Sequence, residues 1–469
     1  MSRRHALLSE LRQLLKLAAP LAAIHAGNQL MSLVDVAVVG RLGADSLAGV
    51  GLANGIFFSM SILGIGVMMG LDPLVSQALG ARDPARARRQ LWQGVWLALA
   101  VTLALALPLA IAPSLLEPFG IEHAAAREAR TYLNIRLLSL YPMLLFVGVR
   151  AYLQAHGITR PMFLSMIAAN VLNAVADVLL VFGGSVLPEW TGPLRALPSF
   201  GVAGAAVATT VCTVFQLAFV GSALRLVPAP GFAAGMRRPS LPDLRRALAV
   251  GLPIGLQMAA EVSIFALVGF LIGRMGTELL AAHQIALTLA SVTFTVAVGI
   301  GAATSVRVGR AVGAGDTPGA RLAGMSGILG GGAWMSITAL IFLLLPRTLA
   351  GILTDQAAVI ESAVPLLMIA AVFQVSDGLQ AVGAGALRGA GDTRYPFVAN
   401  VLGYYALALP AGLALGSLLG LGAIGLWWGL CIGLTVVAAT LVRRFLRISA
   451  GTIAPLVTDG DAPRSEAAA

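Results

Sequence analysis

Apolar positions along the chain run in long uninterrupted blocks, with polar positions gathered between them. Six blocks contain no Asp, Glu, Lys or Arg: 46–71, 90–116, 196–224, 279–306, 322–346 and 395–442. A membrane-spanning helix needs ~20 mostly apolar residues. The last block is long enough for two and holds Pro410 and several glycines, so it counts as two. Admitting blocks with isolated charges gives twelve predicted spans: 17–39, 51–72, 91–113, 132–151, 162–183, 201–223, 247–271, 280–304, 322–345, 359–383, 396–416 and 422–442. The fourth is the least regular, since Arg136 and Arg150 leave a charge-free centre of 13 residues.

The pattern repeats at an offset of 233. Gly40-Arg41-Leu42-Gly43 matches Gly273-Arg274-Met275-Gly276, and Gly80-Ala81-Arg82-Asp83 matches Gly313-Ala314-Gly315-Asp316. Pro20 meets Pro253, and Gly66 meets Gly299. At offset 234, the segment 153–160 meets 387–394. Two six-helix halves result, 1–232 and 233–469, with a linker at about 225–246 and a polar tail from about 448. Six is even, so both halves have the same orientation; parallel six-helix repeats describe transporters with the substrate path between the halves. The glycine motifs between helices read as turns, with glycine at positive φ and aspartate capping.

Composition supports this reading: 58% of the residues are hydrophobic and 11% charged. Soluble domains average ~45–50% apolar and ~25% charged, so a soluble or disordered chain is excluded. Of 31 basic residues, Lys16 is the one lysine. A Walker A loop needs a lysine after glycine, so the chain is not its own ATPase. Cys212 and Cys431 lie in apolar runs and read as packing residues. The net charge of +10 is placed for a membrane rather than for nucleic acid: 24 of the 31 basic residues fall on one side of the predicted topology. The positive-inside rule puts that side, with both termini, in the cytoplasm.

Within the spans the carboxylates are few: Asp35, Asp177, Glu261 and Asp377, with Asp72 at the predicted inner end of helix 2 beside Pro73. An acid inside a span costs on the order of 3 kcal/mol, so it defaults to a functional reading; Asp72, at a helix end, reads as structural or interfacial. In helix 5, Asn170, Asn173 and Asp177 form one polar stripe at i, i+3 and i+7. Counting 1.5 Å per residue, Asp35 and Asp177 lie at about 27 and 22 Å along their helices, a depth that allows one cluster. The second half holds Glu261 and Asp377. Its acids do not repeat the first half's, because Glu261 aligns with Asn28 and Asp35 with Val268. Two acids on neighbouring helices can bind Na⁺ through oxygens or hold a proton, and they also attract a cationic substrate.

The ordered set Val34-Asp35, Gly40-Arg41-Leu42-Gly43, Asn173 to Asp177, Gly251-Leu252-Pro253-Ile254-Gly255 leading to Glu261, Ala282-His283-Gln284-Ile285 and Gln374-Val375-Ser376-Asp377-Gly378 resembles the multidrug and toxic compound extrusion (MATE) family, and its NorM-like members in particular, within the multidrug/oligosaccharidyl-lipid/polysaccharide exporter superfamily. The resemblance implies an all-α polytopic membrane protein of twelve helices, with two pseudo-symmetric lobes forming a V around a cavity. It implies export of organic cations and amphiphiles in exchange for Na⁺ or H⁺. NorM-like members use an acidic pair matching Glu261 and Asp377; archaeal members use a cluster matching Asp35, Asn173 and Asp177. The tyrosine that accompanies the helix-10 acid in NorM-like members aligns with Phe373. Asn170, Gln284 and Phe373 are further candidates for cavity contacts. No cofactor is implied beyond the coupling ion. The expected partners are small cationic or amphiphilic drugs and membrane lipid, and the expected setting is a monomer in a bacterial inner membrane.

Two rivals remain. Lipid-linked sugar flippases share the superfamily architecture but commonly carry more charge in the cavity. A membrane enzyme needs clustered aspartates near the inner surface, a metal motif, or a serine with its base; the five histidines are scattered and form no HExxH.

Overall fold

A computed structural model of the chain describes residues 3–228 and 235–456. The half boundary at 232/233, Arg464 and the side chains of Arg3, Arg4, His25 and Asn28 lie outside the described residues. Twelve helices are long and apolar enough to span a bilayer. We number them α1 (Ser9–Val39), α2 (Ala44–Gly80), α3 (Pro84–Leu115), α4 (His123–Ala155), α5 (Arg160–Phe182), α6 (Gly201–Leu226), α7 (Leu241–Gly273), α8 (Thr277–Gly313), α9 (Thr317–Leu344), α10 (Ala357–Ala390), α11 (Arg394–Leu418) and α12 (Gly422–Ile448). All twelve predicted spans are present, and among the described residues there is no strand.

Two differences from the sequence reading matter. The irregular fourth span is a full helix with one 3₁₀ turn at Leu137–Ser139, and Arg136 rests its guanidinium 4.5 Å above the Phe57 ring. A cation over an aromatic face is stabilised by the ring quadrupole, which is why this charge does not end the span. The second helix does not stop at 72. It breaks at Met69–Gly70 and resumes over Leu71–Gly80. Asp72 is therefore 2% exposed rather than interfacial, in the first turn of the second segment.

The turns obey the repeat. Gly43 and Gly276 take φ of 131° and 141°, and Asp83 and Asp316 cap the next helices by accepting from Arg86 N and Gly319 N, each at 2.8 Å. In the Gly-Ala-x-Asp motif the positive φ belongs to the third position, Arg82 (60°) and Gly315 (70°). Gly80 and Gly313 instead permit close approach between lobes: a Cβ on Gly80 would strike the Arg310 carbonyl, and one on Gly313 the Gln77 carbonyl.

These two contacts are the same contact seen twice, because Gly80 pairs with Gly313 and Gln77 with Arg310 at the repeat offset. Gly66 against Gly255 and Gly299 against Ala22 form a second such pair. Small residues let helix backbones approach where lipid offers no hydrophobic drive to associate. α1 of the first lobe packs on α8 of the second, and α2 on α7, as that pseudo-symmetry requires. The polar bonds between lobes lie at the same end. Gln77 Nε2 donates to the Gly389 carbonyl at 3.0 Å, its Oε1 accepts from Leu456 N at 2.8 Å, and Arg307 pairs with Glu10. The lobes thus close at the arginine-rich end and leave a cavity between them.

Candidate functional site

The cavity measures about 800 Å³ and is walled by α7, α8 and α10, with α2 and α4 completing its floor. Its wall is aromatic. Phe265 packs edge-on to Phe373 with centroids 5.9 Å apart, and Phe373 packs on Trp427 at 5.8 Å. His283 accepts at Nδ1 from Trp427 Nε1 at 3.2 Å, so it serves as a packed, hydrogen-bonded wall residue. Gln284 and Phe373, both expected at the cavity, line it. Asn170 does not. Its amide donates to its own helix at Met166 O, 2.9 Å away, and it packs against Gly27. Its Nδ2 is satisfied on the preceding turn, while its Oδ1 has no partner among the described residues.

Glu261 and Asp377 both face the cavity. Glu261 Oε2 accepts from Gln380 Nε2 at 3.2 Å and from Asn400 Nδ2 at 3.4 Å. Asp377 is 6% exposed, and its Oδ1 has no partner. Tyr404 stands beside them. It is fully buried, with its ring 6.3 Å from Phe265, its hydroxyl unpartnered, and both acids within electrostatic reach. Two carboxylates, two amides and a phenol are therefore gathered from three helices, with the amide nitrogens turned to Glu261; carboxylate and phenol oxygens are the donors a hard cation favours.

Gln380, Asn400 and Tyr404 were not picked out from the sequence. Gln380 follows Asp377 by three residues, and Asn400 precedes Tyr404 by four, so each pair shares a helix face. The second pair was hidden in the longest charge-free block. α11 also carries π-helical stretches at Leu402–Ala408 and Ala414–Leu418, a form that recurs at functional sites. Position 373 carries a phenylalanine, and Tyr404, from α11, packs on the same Phe265 ring as Phe373 does.

The first-lobe cluster is assembled as its spacing suggested. Asp177 and Asn173 are fully buried, and Asp177 lies within electrostatic reach of Asp35. Asp35 is 4% exposed and accepts from Thr209 Oγ1 at 3.2 Å. Neither Asp177 oxygen has a donor. None of Asp35, Asn173 and Asp177 lines the central cavity.

Known proteins resemble this chain in sequence and in fold. The MatE family profile matches residues 20–179 and 253–414, one copy in each lobe. The chain belongs to the MATE family. It is a multi-pass membrane transporter and not an enzyme. It is 37% identical over 453 residues to the multidrug resistance protein NorM of Burkholderia vietnamiensis, covering 94% of this chain and 95% of that one. It is also 37% identical to a probable NorM of Deinococcus radiodurans, covering 95% and 97%. Among solved structures, a eukaryotic MATE transporter, AtDTX14, superposes with a TM-score of 0.80 at 20% identity. The outward-facing conformation of a multidrug resistance MATE transporter gives 0.83 at 21%. Each structural match covers 94% of this chain and 96% of the other.

Proposed function

We propose that this MATE protein is a secondary active multidrug antiporter of a bacterial inner membrane, exporting organic cations in exchange for Na⁺ or H⁺. The observation that carries the reading is the Glu261–Asp377 pair opening onto an aromatic-walled cavity. Aromatic faces attract organic cations, and buried acids supply the opposite charge. Two neighbouring carboxylates in a medium of low dielectric cannot both stay charged cheaply, so they bind a proton or share a cation. Cation entry neutralises the pair and weakens its hold on a positively charged drug. Drug and ion then compete for one site, and each favours a different arrangement of the lobes. The arginine-rich end, where the lobes close, is the cytoplasmic side in this reading, so the cavity faces outward and both termini face inward. The names of the curated relatives, which call them multidrug resistance proteins, support the drug class.

Efflux of a fluorescent organic cation from proteoliposomes, with the Na⁺ and pH gradients imposed separately, tests this. One of the two gradients should drive efflux in the wild type and fail to do so in Glu261→Gln. Efflux that needs neither gradient would refute antiport.

A further inference from the structure

Three turns below Asp377 on α10, the cavity floor holds a charge cluster of opposite sign. Arg388 and Arg150 both line it, one from each lobe. Among the described residues the carboxylate paired with them is Asp72, whose Oδ2 lies 3.9 Å from Arg388 Nη1, the outer limit of an ion pair. Arg150 is 7% exposed, and its Nε has no hydrogen-bond partner; Nε of Arg388 is also unpartnered. Asp72 lies within electrostatic reach of both guanidinium groups. Ser76 does not compensate the cluster, since its hydroxyl donates to the Asp72 backbone carbonyl at 2.6 Å. A buried guanidinium, Arg150, and a largely buried one, Arg388, thus lie near one carboxylate at the bottom of a cavity whose middle carries two acids.

A guanidinium out of water without a full partner is costly, and its planar fork matches a carboxylate in two parallel hydrogen bonds. We propose that Arg150 and Arg388 form a subsite for the carboxylate of an amphoteric substrate, whose cationic end lies at Glu261 and Asp377. The subsite rests on the antiporter reading above and adds a specificity determinant to it. It sits where the lobes meet, so a bound carboxylate bridges α4 of one lobe to α10 of the other. Asp72 tunes it: this carboxylate holds Arg388 in place and limits the positive excess to one charge.

Two xanthene dyes that differ at one group provide the test: rhodamine 110, with a free carboxylate, and rhodamine 123, its methyl ester. Equilibrium binding of each to the full chain in nanodiscs gives a ratio of dissociation constants. The carboxylate dye should bind about tenfold or more tightly than the ester in the wild type, the size of one charge-assisted pair. The ratio should collapse toward one in Arg150→Gln and be partly kept in Arg150→Lys. Asp72→Asn, which leaves both arginines, should widen it, so the test survives if Arg150→Gln does not fold. A wild-type ratio near one, or a ratio equal in wild type and Arg150→Gln, overturns the subsite. Replacing methanesulfonate, which carries no carboxylate, by chloride separates the two sources of anion. If chloride tightens ester binding in the wild type but not in Arg150→Gln, the floor takes an inorganic ion and the substrate-carboxylate proposal is overturned. Ester binding in Glu261→Gln reads the cationic end alone, so failure there counts against the antiporter reading and not against the floor.

Discussion

Asp35 and Asp177 are sealed inside the first lobe, away from the cavity, with the Thr209 hydroxyl as the donor to Asp35 and none to Asp177. Glu261 and Asp377 open onto the cavity, and the Gln380 and Asn400 amides already donate to Glu261. The lobes share one backbone plan, yet the two acid pairs differ in what can reach them. A cavity pair exchanges its counter-charge with solution and can trade it for a drug. A sealed pair changes its protonation or ion only when its helices shift. The difference predicts that the second-lobe pair sets the competition between drug and ion, and that the first-lobe pair sets how readily the lobe repacks.

The largest expected effect is in the second lobe. Glu261→Gln should abolish ion-driven efflux, and Asp377→Asn should do the same. The double variant should be little worse than either single one if the pair acts as one site. Proteoliposome efflux measures this, and strictly additive losses would separate the two acids. Next come Asp35→Asn and Asp177→Asn. Each should abolish drug resistance in cells while expression persists, yet leave equilibrium drug binding within about twofold of wild type, because neither touches the cavity. If drug affinity falls as steeply here as in Glu261→Gln, the distinction between sealed and open pairs is broken.

A third variant tests the frame that both pairs share. A Cβ on Gly70 would lie 2.6 Å from the Gly251 Cα, so Gly70→Val should force the lobes apart at their closed end. Overpacking of this kind costs about 1–3 kcal/mol. A lowered melting temperature and greater labelling of cysteines introduced at the arginine-rich end are the expected results. Tyr404→Phe is milder: it keeps the ring against Phe265 but removes the hydroxyl, and should weaken apparent ion affinity by about threefold to tenfold with a smaller change for drug. The smallest effect lies outside the spans. Burial of His156, in the turn after α4, holds its imidazole below the ordinary value of 6.5, with the Arg310 and Arg88 charges acting the same way. The unfolded chain then takes up a proton that the folded one resists, so stability falls as pH drops through 6.5 toward the lower folded value. His156→Gln should flatten that loss by about a degree in melting temperature between roughly pH 7 and pH 5.

Most of the fold is legible in the sequence, because each span must satisfy its own backbone in lipid and so announces itself as a charge-free block. The repeat supplied the two lobes, and the isolated acids supplied both pairs, since a carboxylate in such a block stands out. What stayed hidden was neutral or misplaced by one element. Gln380, Asn400 and Tyr404 are ordinary residues until three helices bring them to Glu261, a long-range fact that periodicity does not encode. Asp72 looked like the end of a helix because Pro73 follows it. The break at Met69–Gly70 instead lets α2 start again, with proline tolerated in the first turn. Arg150 and Arg388 counted as cytoplasmic charges in the topology; their placement at the cavity floor depends on how the two lobes meet.

The comparison between the lobes is tested most directly by titrating a fluorescent organic cation against the purified full chain at increasing concentrations of the coupling ion, in wild type, Glu261→Gln and Asp35→Asn. The account predicts that the apparent dissociation constant rises in proportion to the ion in wild type and in Asp35→Asn, and stays flat in Glu261→Gln. A flat line for Asp35→Asn together with a rising one for Glu261→Gln would place the competition in the sealed pair and contradict it.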